Sequence, residues 1–311
     1  NQASNIEFFA GINIKRATKT VMTGNVMAGC AQGGFITRGA PSDEDYLWSN
    51  NEAHGNQHGV HVTSVGLSRV PSKTVAVKDF YTWLNYDYAV YVLNEDNVEV
   101  SNIISLDNGV GFLSYIAVPS TDSHQFEEKY VSLTDSVIVP VTDVFDCAKD
   151  NQKLDIHKAL LEKKRKFFGK GNWISENRKS HHTGVVWPIF MSALPDDDFP
   201  WHTGVKGAAG NNPAMRGIMH LSGVTFANFK ENCGAHDIVF RTNVHEDDVN
   251  WPINATAITF LDTLDENKIY MDKPLAGKIS PSDCSDFDCD GFKKSIILDH
   301  DGSVTGDGVM G

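Results

Sequence analysis

A short motif recurs along the chain and limits its fold more than any other feature. Val98–Ile103 reads VEVSNI: apolar residues alternate, an asparagine follows, and another apolar residue comes next. VAVKDF (Val75–Phe80), VPVTDV (Val139–Val144) and VTFANF (Val224–Phe229) share this shape, and VMTGNV (Val21–Val26) and ITFLDT (Ile258–Thr263) are weaker copies. Alternation puts the first and third residues on one face of a strand. Asparagine or aspartate at the fifth position adopts a left-handed or turn conformation and hydrogen-bonds its own backbone. The pattern predicts a strand, a sharp corner and a second short strand, with corners at Asn25, Asp79, Asn102, Asp143, Asn228 and Asp262.

Asp79 and Asn102 lie 23 residues apart, and Asn102 and Asp143 lie 41 apart, about two such steps. Steps of roughly 20 to 25 residues built of short strands describe a β-solenoid. Further strands are predicted between the marked ones, in HGVHVTSVG (His58–Gly66), YAVYVL (Tyr88–Leu93) and NGVGFLSYIAV (Asn108–Val118). Three strands per step predict an all-β, right-handed parallel β-helix. A β-sandwich also uses short strands at 8–12-residue spacing, but does not require a corner at a fixed place after the strand. The expected organisation is a single β-helix domain over residues 1–311, a piece of something longer, carrying a helix and loop insertion at 150–215. Within the insertion, Leu154, His157, Leu161 and Phe168 have near-helical spacing, and a Gly-, Pro- and Trp-rich loop follows over Ser180–Met215.

The net charge of −13 disfavours duplex nucleic acid as a partner. The one basic run, KALLEKKRKFFGKG (Lys158–Gly171), reads as a solvated helix face. No apolar stretch reaches the ~20 residues that span a bilayer. The start has no signal-peptide pattern, and with no initiating Met the chain is expected to be an interior piece. Of five cysteines, Cys284 and Cys289 are close enough to bridge, and the pairing of Cys30, Cys147 and Cys233 stays open. Asn254-Ala255-Thr256 is a glycosylation sequon, usable only in a secreted setting.

Asp286, Asp288, Asp290 and Gly291 match the opening of a calcium loop, but Ile297 stands where an EF-hand needs its bidentate glutamate. A looser Ca²⁺ site is the one cofactor the residues suggest. The alternative is an acidic loop closed by Cys284–Cys289, then a strand, then a turn at Asp299, Asp301 and Gly302. His54, His58 and His61 have a metal-like spacing, yet His58 and His61 are expected on opposite faces of an extended chain. His181, His182 and His202 could hydrogen-bond a sugar, and Trp173, Trp187, Trp201 and Trp251 could serve as sugar platforms. Glycoside hydrolysis needs two carboxyls about 5 to 9.5 Å apart. Asp87, Glu95, Glu99 and Asp107 are the candidates on the strands.

Four ordered blocks resemble the fibrocystin and fibrocystin-L family: LWSNNEAHGNQHGVHV (Leu47–Val62), HHTGVVWPIF (His181–Phe190), NPAMRGIMHLSGVTFANF (Asn212–Phe229) and PSDCSDFDCDGFKKSIILDHDGSVTG (Pro281–Gly306). They are more distantly similar to the cell-surface transmembrane hyaluronidases. The resemblance implies a parallel β-helix region of a large surface glycoprotein, with the membrane anchor outside this segment and an association with cilia or surface coats. It implies a structural or adhesive role, with flanking domains, other surface proteins or glycans as partners. In the hyaluronidase branch it implies cleavage of hyaluronan, but no catalytic residue of that branch maps onto this chain.

Overall fold

The computed structural model describes residues 10–14, 20–31, 33–42, 47–63, 74–94, 97–116, 129–149, 182–190, 217–241, 253–270 and 297–306. Nearly all of its regular structure is β. One sheet has eight strands in the order Ala10–Asn13, Gly33–Thr37, His58–Thr63, Tyr88–Asn94, Val110–Ile116, Thr183–Phe190, Ile238–Arg241 and Ile269–Tyr270, every neighbour parallel. Between visits to this sheet the chain runs through a second one of twelve strands. There Val75–Trp83 and Val98–Leu106 each run through a corner, and later rungs split in two at the same place: Lys129–Thr134 with Val137–Val139, Gly217–Ser222 with Thr225–Ala227, and Ile253–Thr256 with Thr259–Leu261. Parallel pairing between successive rungs of both sheets is consistent with a β-helix.

The interior is a set of stacked apolar columns. Val98, Val131, Met219, Ile253 and Ile297 are in register and buried, and so are Val100, Leu133, Leu221 and Ala255. From the eight-stranded sheet, Phe35, Val60, Val90, Phe112, Val185 and Phe240 face them. Each fully buried side chain of this size contributes about 1.5–3 kcal/mol. Edge-on ring contacts bind the columns together, as between Phe226 and Phe240 at 5.3 Å and Phe35 and Phe80 at 5.1 Å.

Two corners recur from rung to rung. At the first, Gly24, Asn50, Asp79, Asn102, Asp135, Gly223 and Ala257 all have φ between 48° and 65°. At the second, Gly29, Gly55, Leu84, Asp107, Asn228 and Asp262 do the same, with φ from 47° to 67°. This left-handed conformation costs most residues roughly 1–2 kcal/mol and suits Gly, Asn and Asp best, hence the motif. Asp79 and Asn102 therefore sit at the first corner, and Asn228 and Asp262 at the second. Asn25 lies one residue past the corner, because Gly24 takes the left-handed angle there. Asp143 is at neither corner. Asp135 turns the first corner of that rung, and Pro140, whose ring holds φ negative, occupies the second.

Buried asparagines fasten the turns. One residue past the second corner, Asn56, Asn85 and Asn108 form a ladder in which each amide N–H and side-chain Nδ2 donates to Oδ1 of the next, at 2.9–3.1 Å. Asn51 does the same for Asn25 past the first corner.

One expectation changes, and one open pairing is filled. Thr183–Phe190, placed in the 150–215 insertion, is a rung of the eight-stranded sheet paired on both sides. The helix expected at Asp150–Phe168 lies outside the described residues. Cys147 is disulfide-bonded to Cys233, 86 residues away, and Cys30 is a free thiol. Cys284 and Cys289 lie outside the described residues.

Candidate functional site

Beyond the first corner, each rung of the twelve-stranded sheet turns alternate side chains outward. Register stacks Glu52, Tyr81, Ile104, Val137, Thr225 and Thr259 in one outward column. His54, Trp83, Leu106, Val139, Ala227 and Leu261 form the next. Tyr81 is 37% exposed, Ile104 43%, Val137 37% and Leu261 53%. Their inward neighbours Thr82 and Ser105 are buried hydroxyls. In Val75–Trp83 and Val98–Leu106 the polarity past the corner is thus inverted: Tyr81 and Ile104 face solvent and the hydroxyls of Thr82 and Ser105 face the interior, whereas the matching inward residues of other rungs are Ala53, Ile138 and Phe226. The inside is explained by the ladder, since Asn108 Nδ2 donates to Ser105 Oγ at 3.0 Å and to Thr82 Oγ1 at 3.4 Å. The outside has no such internal purpose.

One end of this face is held rigid. Trp83 Nε1 donates to Glu52 Oε1 at 2.8 Å, and His54 stacks on the indole at 4.1 Å with 13° between planes. Burial, then the Glu52 and Asp107 carboxylates, push the Tyr81 phenol above its ordinary pKa. Because His54 and Trp83 stack from rung to rung, they present ring edges outward rather than a flat face for a sugar ring.

The outer side of the eight-stranded sheet holds a closed aromatic cluster. His58 stacks on Tyr88 (5.0 Å) and Tyr91 (5.6 Å), and His61 lies 4.7 Å from Tyr91. His58 and His61 share this face, contrary to simple alternation. A Cβ on Gly59 would point at Asn85 and Thr82 in the interior, and Val60 is in the core, so two successive residues turn inward. His58 Nδ1 is buried with no hydrogen-bond partner among the described residues, and burial pushes its pKa down to about 3. His54 belongs to the other sheet, so the three histidines do not converge. Among the described residues no three His, Cys, Asp or Glu side chains are grouped to hold a metal.

The remaining candidates are dispersed. Trp187 is 1% exposed, packed against Phe240 in the core, and cannot be a sugar platform. Asp237 Oδ1 accepts from the His182 backbone N–H (2.9 Å) and lies 3.0 Å from its ring Nδ1, and Asp237 Oδ2 accepts from Asn232. This anchors the start of Thr183–Phe190 beside the disulfide-bonded hairpin at Glu231–His236. Asp87 accepts from Gln57, Glu99 from the Tyr130 hydroxyl, and Asp107 from Thr142. These three carboxylates thus serve three separate places, and Glu95 lies outside the described residues. Trp173, Trp201, Trp251, His181, His202, Asp286, Asp288 and Asp290 also lie outside them. At the turn after Ile297–Asp299, Asp299 Oδ2 caps the N–H groups of Val304 and Thr305. Asn254 is in mid-strand, half-buried, with Nδ2 3.3 Å from His220 Nδ1.

Tyr81, Trp83, Ile104 and Val137 were not singled out by sequence, although the signal is there: past the corner the alternation puts Tyr81 and Ile104 out and Thr82 and Ser105 in.

No protein-family model matches the chain. It is 30% identical over 304 residues to fibrocystin-L of Mus musculus and 30% identical over 306 residues to fibrocystin-L of Homo sapiens, each match covering 96% of this chain and 7% of that protein. It is also 30% identical over 319 residues to fibrocystin of Mus musculus, covering 98% of this chain and 7% of that protein. The chain spans about 7% of the length of the curated relatives it matches. With the motif-bearing blocks inside matches of this extent, the chain belongs to the fibrocystin and fibrocystin-L family.

Proposed function

We propose that the chain is a non-catalytic structural and adhesive segment of a large extracellular or cell-surface glycoprotein, wound as a right-handed parallel β-helix. Right-handed winding follows from the strong bias of parallel strand connections toward that hand. The observation that carries the reading is the use made of polar groups in the turns: the asparagine ladder and the carboxylates of Asp107, Asp237 and Asp299 all cap backbone or hold neighbouring segments. Stacked rungs fastened in this way suit a stiff spacer, since each contacts mainly its neighbours. The Cys147–Cys233 bridge supports an oxidising compartment, and the family supports the cell surface, cilia included. Its partners are neighbouring segments of the same polypeptide and other surface proteins or glycans. The test is incubation of the purified segment with hyaluronan and calcium. Unchanged polymer length is expected, and shortening that disappears when Asp87, Glu99 or Asp107 is neutralised would overturn the reading.

A further inference from the structure

Resting on the adhesive reading, we infer that the outward face of the twelve-stranded sheet around Tyr81, Ile104 and Val137 is a docking surface for another protein whose contact region has an apolar centre and a basic margin. Parallel strands spaced ~4.8 Å apart make the strip from Val26 to Thr259 about 29 Å long, and its two columns cover on the order of 300 Å². Tyr81, Ile104 and Val137 lie at its middle and are more than a third exposed. Thr82 and Ser105 show that these same strands place hydroxyls where the fold needs them, so the outward apolar residues are not there to fill the rod. An exposed apolar patch of up to a few hundred Å² on a protein surface is often functional.

Charge chooses the occupant. Two chains of net charge −13 would repel. Carboxylates border the strip: Asp79 and Asp135 at one corner, Asp262 at the other, and Glu52 on the face itself. Lys78 adjoins Asp79 at the first corner, and Lys230, at the other margin, is paired with Asp262. The excess of acid favours a partner with lysine and arginine around its apolar centre, and disfavours an anionic lipid surface.

The test places a photo-crosslinking benzoylphenylalanine at Thr225, in the same column, within the full-length protein on cells, with a control at Thr256 on the other half of the sheet. The expected result is an adduct at 225, absent at 256, with a peptide from a different protein, flanked by Lys or Arg; an adduct with another segment of the same protein would overturn the inference. Ile104→Thr with Val137→Thr should lower its yield about tenfold, equivalent to roughly 1.4 kcal/mol. An unchanged melting temperature of the purified double variant shows that the rod itself is intact. No adduct above the control, an adduct with a second copy of the same segment, a lipid adduct, or a yield unmoved by the double variant would each overturn the inference. Any of these would leave the structural reading to be decided by the hyaluronan assay.

Discussion

Replacing Asn85 by alanine should cost far more than any surface change on this chain. Asn85 is fully buried, and its carboxamide makes four contacts: Nδ2 to Ala53 O (2.9 Å) and to Asn108 Oδ1 (2.9 Å), and Oδ1 from the Asn56 N–H and Nδ2 (3.1 Å each). Alanine leaves the Ala53 carbonyl and the Asn56 amide buried without this partner, at about 1–3 kcal/mol each, and opens a small cavity. The expected loss is about 3–5 kcal/mol. Asn102→Gly is the control. Asn102 stands at an exposed corner with φ 52°, which glycine accepts, and loses only a surface contact to Asp79. Its cost should stay below about 1 kcal/mol. Urea unfolding of both variants, read at constant slope, measures the difference. At roughly 2.1 cal/mol/K of unfolding entropy per residue, the Asn85 loss corresponds to a melting temperature lower by about 5–8 °C. Equal costs for the two variants, or a loss below about 1 kcal/mol at Asn85, would refute the view that the interior ladder holds the turns.

Cys147→Ala with Cys233→Ala reopens a loop of 86 residues; the chain-entropy relation gives about 4–5 kcal/mol as the upper bound, to be read by denaturant melts with and without reductant. His58 is neutral in the fold, with its pKa depressed to about 3. Its contribution to stability is present above the unfolded value near 6.5 and is lost as pH falls from there toward 3. The slope is at most about 1.4 kcal/mol per pH unit, and His58→Phe should remove it in a stability–pH series. Calcium held by Asp286, Asp288 and Asp290 would raise the melting temperature, and identical melts with calcium and with chelator would eliminate that site. Asn254 should be unglycosylated in the folded protein when the secreted chain is analysed by mass spectrometry, since its amide is engaged with His220 in mid-strand.

Local chemistry alone determined the strand–corner–strand unit. Val77, Val100 and Phe226 had to turn inward because alternation leaves them no other face, and Asp79, Asn102, Asn228 and Asp262 had to bend because few other residues accept a left-handed angle. Even the error at Asp143 was correctable, because VSLTDSV (Val131–Val137) fits the motif and places the corner at Asp135. What the local pattern could not hold are relations between rungs. Whether an asparagine turns the first corner or the second, that Asn56, Asn85 and Asn108 form one ladder, that Trp187 is core, and that Cys147 meets Cys233 all depend on pairing between residues 23 to 86 apart. The double inward turn at Gly59 and Val60, which brings His58 and His61 together, likewise needs the neighbouring strand to define inside. Periodicity specifies which side chains share a face; only stacking decides what that face meets, and at Tyr81, Ile104 and Val137 it left an apolar face toward solvent.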